Sequence, residues 1–258
     1  MHEEEEAFAS SQPLTFAVIF LVVDGGLSLG TGLAIGALLP SAPAYVPEIG
    51  GELVGLVFAL FVLMRLRWVR KVGFNGPREW RDLRVLWLPA LEVGVLLVLG
   101  LSLPFSMQAV GITALFAILV GATEEAIYRG VVLQSLLAKG VRTAVILSGV
   151  AFFLAHVGNL LQPQTSASLE GVLVNALYAF LFGIGLGGIR IRTNTMWPGV
   201  TIHALTDYAS LLVIGFGTTA VSSAGPNPAR VVLELGLAAM LAGYGLFLVR
   251  GEKQVLDS

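Results

Sequence analysis

Three segments of this 258-residue chain place ionisable side chains inside otherwise continuous apolar runs. The first is Ala122-Thr123-Glu124-Glu125-Ala126-Ile127-Tyr128-Arg129-Gly130, the second Phe152-Phe153-Leu154-Ala155-His156, and the third runs from Trp197-Pro198-Gly199 through His203 to Asp207. Carboxylates and imidazoles are the side chains that move protons near neutral pH. The chain has no cysteine, which removes thiolate nucleophiles and thiolate metal ligands. At helical spacing Glu125 and Arg129 stand i,i+4 and share a face, so they can form an ion pair that tolerates burial. Glu124 is turned about 100° from Glu125 and is expected to keep a free carboxylate. His203 and Asp207 are also i,i+4, and Phe152 lies one turn before His156, where it can wall the ring. A free carboxylate, two imidazoles and a second acid are suited to activating a water and stabilising an oxyanion.

The elements that must hold these residues are membrane helices. Hydrophobic residues make up 56% of the chain and charged ones 12%, with a mean hydropathy of +0.85. That composition excludes a soluble globular domain and a disordered chain. The apolar runs are continuous rather than alternating, which excludes a β-barrel. A helix needs roughly 20 apolar residues to cross a bilayer. By that measure eight spans are expected, near 14–39, 50–70, 84–103, 108–138, 142–161, 170–189, 195–215 and 229–249. Every Lys and Arg except Arg129 and Arg230 then falls on one side, in the connections after spans two, four and six and after span eight. The positive-inside rule makes that side cytoplasmic, with both termini there. The expected architecture is therefore an all-α polytopic membrane bundle. An acidic tail over 1–13 precedes a single transmembrane domain over 14–250, and a short tail over 251–258 follows. The run Glu3 to Glu6 lacks the basic residues of a signal-peptide n-region, so the first span is expected to be retained; the run itself reads as a solvated charge cluster. Of 31 glycines, Gly26/Gly30, Gly32/Gly36, Gly51/Gly55 and Gly183/Gly187 have the small-xxx-small spacing that lets membrane helices approach.

Depth brings the polar residues together. At 1.5 Å per residue, Glu124 and His156 lie about 20 Å from the inner ends of spans four and five, and His203 and Asp207 about 12–18 Å into span seven. Each residue alone has a bland reading, as a structural pair or a hydrogen-bonded core histidine. Matched depth on three helices favours a shared site. Asp24, Glu92, Asn175 and Glu234 are read as structural or lipid-interface residues. Gly26-Leu27-Ser28-Leu29-Gly30 spells GxSxG within a helical span, where a nucleophile elbow cannot form.

The three segments resemble the signature of the CPBP family of intramembrane proteases, which includes the type II CAAX prenyl endopeptidases. Glu124-Glu125-xxx-Arg129 corresponds to EExxxR, Phe152-xxx-His156 to FxxxH, and His203-xxx-Asp207 to HxxxN/D, in order and over about 122–207. The resemblance implies an α-helical membrane endopeptidase whose site lies in the bilayer and opens to the cytoplasmic side of the cell membrane. It implies that Glu124 and His156 activate the water and that His203 and Asp207 stabilise the oxyanion. Glu125 and Arg129 would hold the architecture, with Phe152 supporting the site. The prenyl proteases usually carry Asn where this chain has Asp207, and a carboxylate does not donate unless protonated. That leaves orienting His203, or metal ligation, as roles for Asp207. A metal-free mechanism is favoured. The alternative is Zn2+ on Glu124, His156, His203 and Asp207, without the HExxH helix of a zincin.

The expected partners are the lipid bilayer and a membrane-anchored or lipidated protein or peptide; the net charge of −2 and the absence of a basic domain argue against nucleic acid. Two other readings are a non-catalytic membrane partner of immunity or chaperone type and a proton-coupled transporter, the latter without an inverted repeat. The topology has a direct check. Reporter fusions at residues 75, 140, 193 and 255 are expected to read internal, and those at 45, 105, 165 and 222 external; a mixed pattern overturns the eight-span arrangement.

Overall fold

The computed structural model describes residues 2–43, 45–77, 79–101, 107–158, 160, 168–214 and 228–252. The outer connections expected near 104–107, 162–169 and 216–228 fall largely outside these residues, as does most of the tail after 251. Among the described residues every regular element is helical. The long helices are α2 (Pro13–Leu38), α3 (Tyr45–Arg65), α4 (Trp87–Leu101), α5 (Met107–Glu124), α7 (Val141–Gly158), α8 (Leu169–Thr193), α9 (Trp197–Ile214) and α10 (Pro228–Leu248). Short α1 (His2–Ser11) precedes them. A π-helical stretch, Glu125–Val132, continues α5 into α6 (Leu133–Leu136). Six runs are long and apolar enough to cross a membrane: α2, α3, the α5–α6 run, α7, α8 and α10. Among the described residues the two other expected spans do not reach that length and hydropathy: α4 covers 15 residues, up to the last described one, and α9 carries the polar residues of the site.

The helices form two files. α2, α3, α5, α9 and α4 neighbour one another in that order, while α7, α8 and α10 make the second file, with α8 between the other two. The π-helical stretch touches both α3 and α7 and so joins the files. From Phe182 to Arg190 every residue of α8 is buried, as befits a central helix hydrophobic all round. Gly183 lets α8 lie against Gly149 of α7, and Gly188 lies against Gly245 of α10, where an added Cβ would collide with backbone. Gly51 packs on the Ser28 backbone, but Gly26 and Gly30 face open space, so their spacing marks no close helix contact.

Three boundaries differ from the sequence expectation. The second span was expected over 50–70; instead α3 starts at Tyr45 and ends at Arg65, because Arg67 takes a left-handed conformation (φ 56°) that stops the helix. Residues 68–75 then fold under the bundle, with Trp68 and Val72 buried. There Gly73 (φ 83°) passes so close to Asn194 that no side chain would fit. Its carbonyl accepts from the Met196 amide at 2.9 Å and from Thr195 Oγ1 at 3.0 Å, and Trp197 Nε1 donates to the Phe74 carbonyl at 3.1 Å. Buried Arg190 donates to the Lys71 carbonyl and to Gln134 Oε1 at 2.9 and 2.7 Å. The start of α9 is thereby tied to the basic connection, which sets the depth of His203. The third span, expected from 84, opens instead as a 3-10 turn over Trp80–Leu86.

The acidic N-terminal residues are not a solvated run. They form α1, which docks on the basic connection: Glu5 pairs with Arg65 at 3.0 Å and Glu6 with Lys71 at 2.6 Å, and Trp68 Nε1 donates to Glu6 at 3.3 Å. Phe8 meets Phe16, which meets Trp68, in edge-to-face contacts, and Ala9 is fully buried. Opposite charges on a half-buried apolar base explain the docking. Such exposed pairs contribute about 0–1 kcal/mol each, so the double change Glu5→Gln, Glu6→Gln is expected to leave thermal stability nearly unchanged. It should speed limited proteolysis within α1 severalfold, and high salt should do the same to the unaltered protein. A cleavage rate insensitive to both overturns electrostatic docking.

Candidate active site

The centre of the site is the imidazole of His203, buried on α9. Its Nδ1 lies 2.9 Å from Glu125 Oε1, and its Nε2 lies 3.2 Å from Glu124 Oε2 and 3.6 Å from Asp207 Oδ2. An acceptor thus stands at each ring nitrogen, an arrangement that a doubly protonated ring satisfies. Glu124 was expected to be free because it is turned away from Glu125. Instead both glutamates reach the same ring, one at each nitrogen, because the ring of α9 inserts between them.

Behind His203 the site is sealed. Glu125 Oε1 also lies 2.9 Å from Arg129 Nη1, with both side chains almost fully buried. The expected i,i+4 pair is therefore present, although it is an ion pair by distance: none of the guanidinium N–H groups aligns for a hydrogen bond among the described residues. The guanidinium lies over Phe152, its Cζ 4.6 Å from the ring centroid, a cation–π contact that suits a desolvated cation. Phe152 stands edge-to-face with His156 at 4.5 Å and with His203 at 5.8 Å, and packs on Tyr128 at 4.6 Å. It therefore separates and orients both imidazoles. The π-helical stretch covers most of the EExxxR segment. The Leu133 amide donates to the Tyr128 carbonyl, an i→i−5 bond, and Ser148 Oγ of α7 donates to the same carbonyl at 2.8 Å. π-Helical turns of this kind concentrate at functional sites.

The front of the site is open. The Glu124 side chain is 20% exposed and that of Asp207 29%, and His156 is partly buried. His156 Nδ1 lies 3.0 Å from the Phe152 carbonyl. A carbonyl only accepts, so Nδ1–H donates to it and a neutral His156 presents the Nε2 lone pair. Glu124 lies within electrostatic reach of His156 as well as His203 and Arg129. The structure thus brings Glu124, His203 and Asp207 together, with His156 within electrostatic reach of Glu124 and edge-to-face with Phe152. This arrangement has a carboxylate that can take a proton, an imidazole with a free lone pair, and a buried imidazole N–H.

Among the described residues no group of three or more His, Asp or Glu side chains is placed to hold a metal ion.

Several contributors carried no sequence signal for a role. Phe182 of α8 stands edge-to-face on His203 at 5.2 Å, but in the sequence it is one apolar residue among many. Gly199 is visible in Trp197-Pro198-Gly199, and its function is steric: an added Cβ would sit 2.7 Å from Glu125 Oε2.

Residues 106–209, which include every residue of this site, match the family model described as Rce1-like, type II CAAX prenyl endopeptidase Rce1-like. That match supports the resemblance to the CPBP, type II CAAX prenyl endopeptidase-like family that the three motifs carry. No curated protein and no solved structure matches the chain.

Removing one member of a buried ion pair strands the other. Arg129→Ala is therefore expected to cost about 3–5 kcal/mol, read as a fall in melting temperature and yield in detergent. The double change Glu125→Gln, Arg129→Met removes the lone charge and should recover part of that loss. A single variant as stable as the parent overturns the buried pair.

Proposed function

We propose that the protein is an intramembrane endopeptidase that hydrolyses a peptide bond of a membrane-anchored or lipidated protein or peptide, in the cell membrane and from the cytoplasmic side. The observation that carries this reading is Glu124. It stands at the open face of the site, hydrogen-bonded to a buried imidazole and within electrostatic reach of a second. The family match supports a protease, and the basic connections support a cytoplasmic approach.

In the proposed reaction a water held between Glu124 and His156 Nε2 gives its proton to Glu124 as its oxygen attacks the scissile carbonyl carbon. The carbonyl oxygen gains negative charge and is met by the Nε2–H of His203, which Glu125 holds in place through Nδ1. Collapse of the tetrahedral intermediate breaks the C–N bond, and the proton on Glu124 passes to the leaving amine. Asp207 stands 3.6 Å from the same Nε2, too far for a strong hydrogen bond. Its role is to keep that N–H directed at the opening rather than to donate to the oxyanion. No metal enters this scheme.

The test is Glu124→Gln, which keeps size and most hydrogen bonding but cannot accept the proton. Cleavage of a membrane substrate in proteoliposomes is expected to fall by at least about 10²-fold. His156→Ala should be comparably severe, and the double variant no worse than either single one. Strong chelation should leave the parent's activity intact. A Glu124→Gln protein that still cleaves overturns the mechanism. One that keeps its biological effect without cleaving favours the non-catalytic partner, and activity abolished by chelator and restored by Zn2+ favours the metal-dependent alternative.

A further inference from the structure

A second group of acids lies within electrostatic reach of Glu124, and the mechanism above does not use it. Glu52 of α3 lies partly buried within electrostatic reach of Glu124, Asp207 and Asp24. The Thr123 hydroxyl, beside Glu124, shares its one proton between the Leu119 carbonyl at 2.9 Å and the Glu52 backbone carbonyl at 3.2 Å, which sets α3 against α5. Glu52 Oε2 has no hydrogen-bond partner. Asp24 of α2 is 6% exposed, and its Oδ1 is likewise buried without a partner. It is aimed at the α3–α5 seam: a Cβ on Gly55 would sit 3.5 Å from Asp24 Oδ1 and 3.4 Å from Thr123 Cγ2. Tyr128 lies within electrostatic reach of Glu124, Asp24 and Glu52 together, so the three carboxyl groups converge on one region. By distance along their helices they also lie at one level, about 17–24 Å from the cytoplasmic helix ends.

Acidic side chains outnumber basic ones here. Arg129 is committed to Glu125 and sealed from the opening, and His203 is shared between two carboxylates. Glu52 and Asp24 have no cation of their own among the described residues, and their unpartnered oxygens face the seam beside Glu124. In an apolar medium such oxygens call for a positive hydrogen-bond donor. A Lys or Arg side chain in a membrane-embedded substrate has the complementary problem, a cation that is costly to hold at mid-bilayer. Moving that side chain from lipid to the acidic mouth relieves both.

We infer that Glu52, backed by Asp24, is a specificity subsite that takes a basic side chain of the substrate next to the scissile bond. This assignment rests on the endopeptidase reading and adds a substrate class to it. Glu52 acts on binding and not on the reacting atoms, so its effect belongs in KM more than in kcat.

The experiment uses the full chain in proteoliposomes and membrane-anchored fluorogenic peptides that differ only in one residue beside the cleaved bond: Lys, Arg, Gln, Leu or Glu. The Lys and Arg peptides are expected to exceed the Gln peptide in kcat/KM by at least about tenfold, mainly through KM. Glu52→Gln should reduce that ratio to within about threefold of unity, Asp24→Asn should lower it in the same direction, and Glu52→Lys should turn the preference toward the Glu peptide. A parent protein that cleaves all peptides alike, or a Glu52→Gln protein that keeps the full preference, overturns the inference and leaves the endopeptidase reading standing. If a variant fails to fold, the parent's own peptide profile still decides. Absence of cleavage of every peptide overturns the endopeptidase reading itself, and this inference with it.

Discussion

An imidazole held in a membrane interior between two carboxylates can exist only if the surroundings supply what water would have supplied. For His203 the supply is specific. Glu125 Oε1 is shared between the His203 ring and Arg129, so one oxygen couples the imidazole to a buried guanidinium. That cation rests on the face of Phe152, and the edges of Phe152 and Phe182 close the remaining sides of the ring. Low dielectric strengthens each of these contacts and makes the loss of any one of them expensive. Gly199 has no side chain because Glu125 occupies that space, and the centre of α8 is buried throughout because Phe182 must be brought to the ring. The turn of residues 68–75 beneath the start of α9 keeps His203 at the level where Glu124 and Glu125 can meet it.

The network divides the site into two electrical halves. Glu125, Arg129 and His203 form a closed half joined through Glu125 Oε1. Glu124, Asp207, His156 and the neighbouring Glu52 form an open half in which negative groups outnumber positive ones. Proton transfer needs the open half to be responsive and the closed half to be rigid. A structure that places a π-helical turn, an aromatic stack and three helix contacts behind the ring, and leaves the front to partly exposed carboxyl groups, meets both needs.

Much of this was legible in the sequence, because the strongest constraints are local. The three motifs, their similar depth and the Glu125–Arg129 pair follow from residue type and i,i+4 spacing, and long helices can be read from apolar runs. What was not legible depends on how helices rotate against each other. Glu124 looked free because its angle on its own helix says nothing of where α9 puts a ring. Phe182 is indistinguishable from its apolar neighbours until α8 is placed. The π-helical stretch follows from tertiary packing, including the Ser148 hydroxyl on the Tyr128 carbonyl, rather than from any composition over Glu125–Val132. Gly26 and Gly30 had the spacing of a packing face but no helix to meet. The acidic run Glu3 to Glu6 read as solvated because its basic partners lie 60 or more positions away.

That separation has a consequence for the order in which the chain acquires its shape. Glu5 and Glu6 leave the ribosome some sixty residues ahead of Arg65 and Lys71, so α1 has no docking surface until both α2 and α3 have been made. The two helices form a hairpin, and its ends meet only if both are returned to the same face of the bilayer. A first helix inserted the wrong way round, or a second left uninserted, would keep the acids and the bases apart. The α1 contact therefore closes a circuit that exists only in the correctly threaded hairpin, and the chain's first turn of structure waits on synthesis of its second crossing.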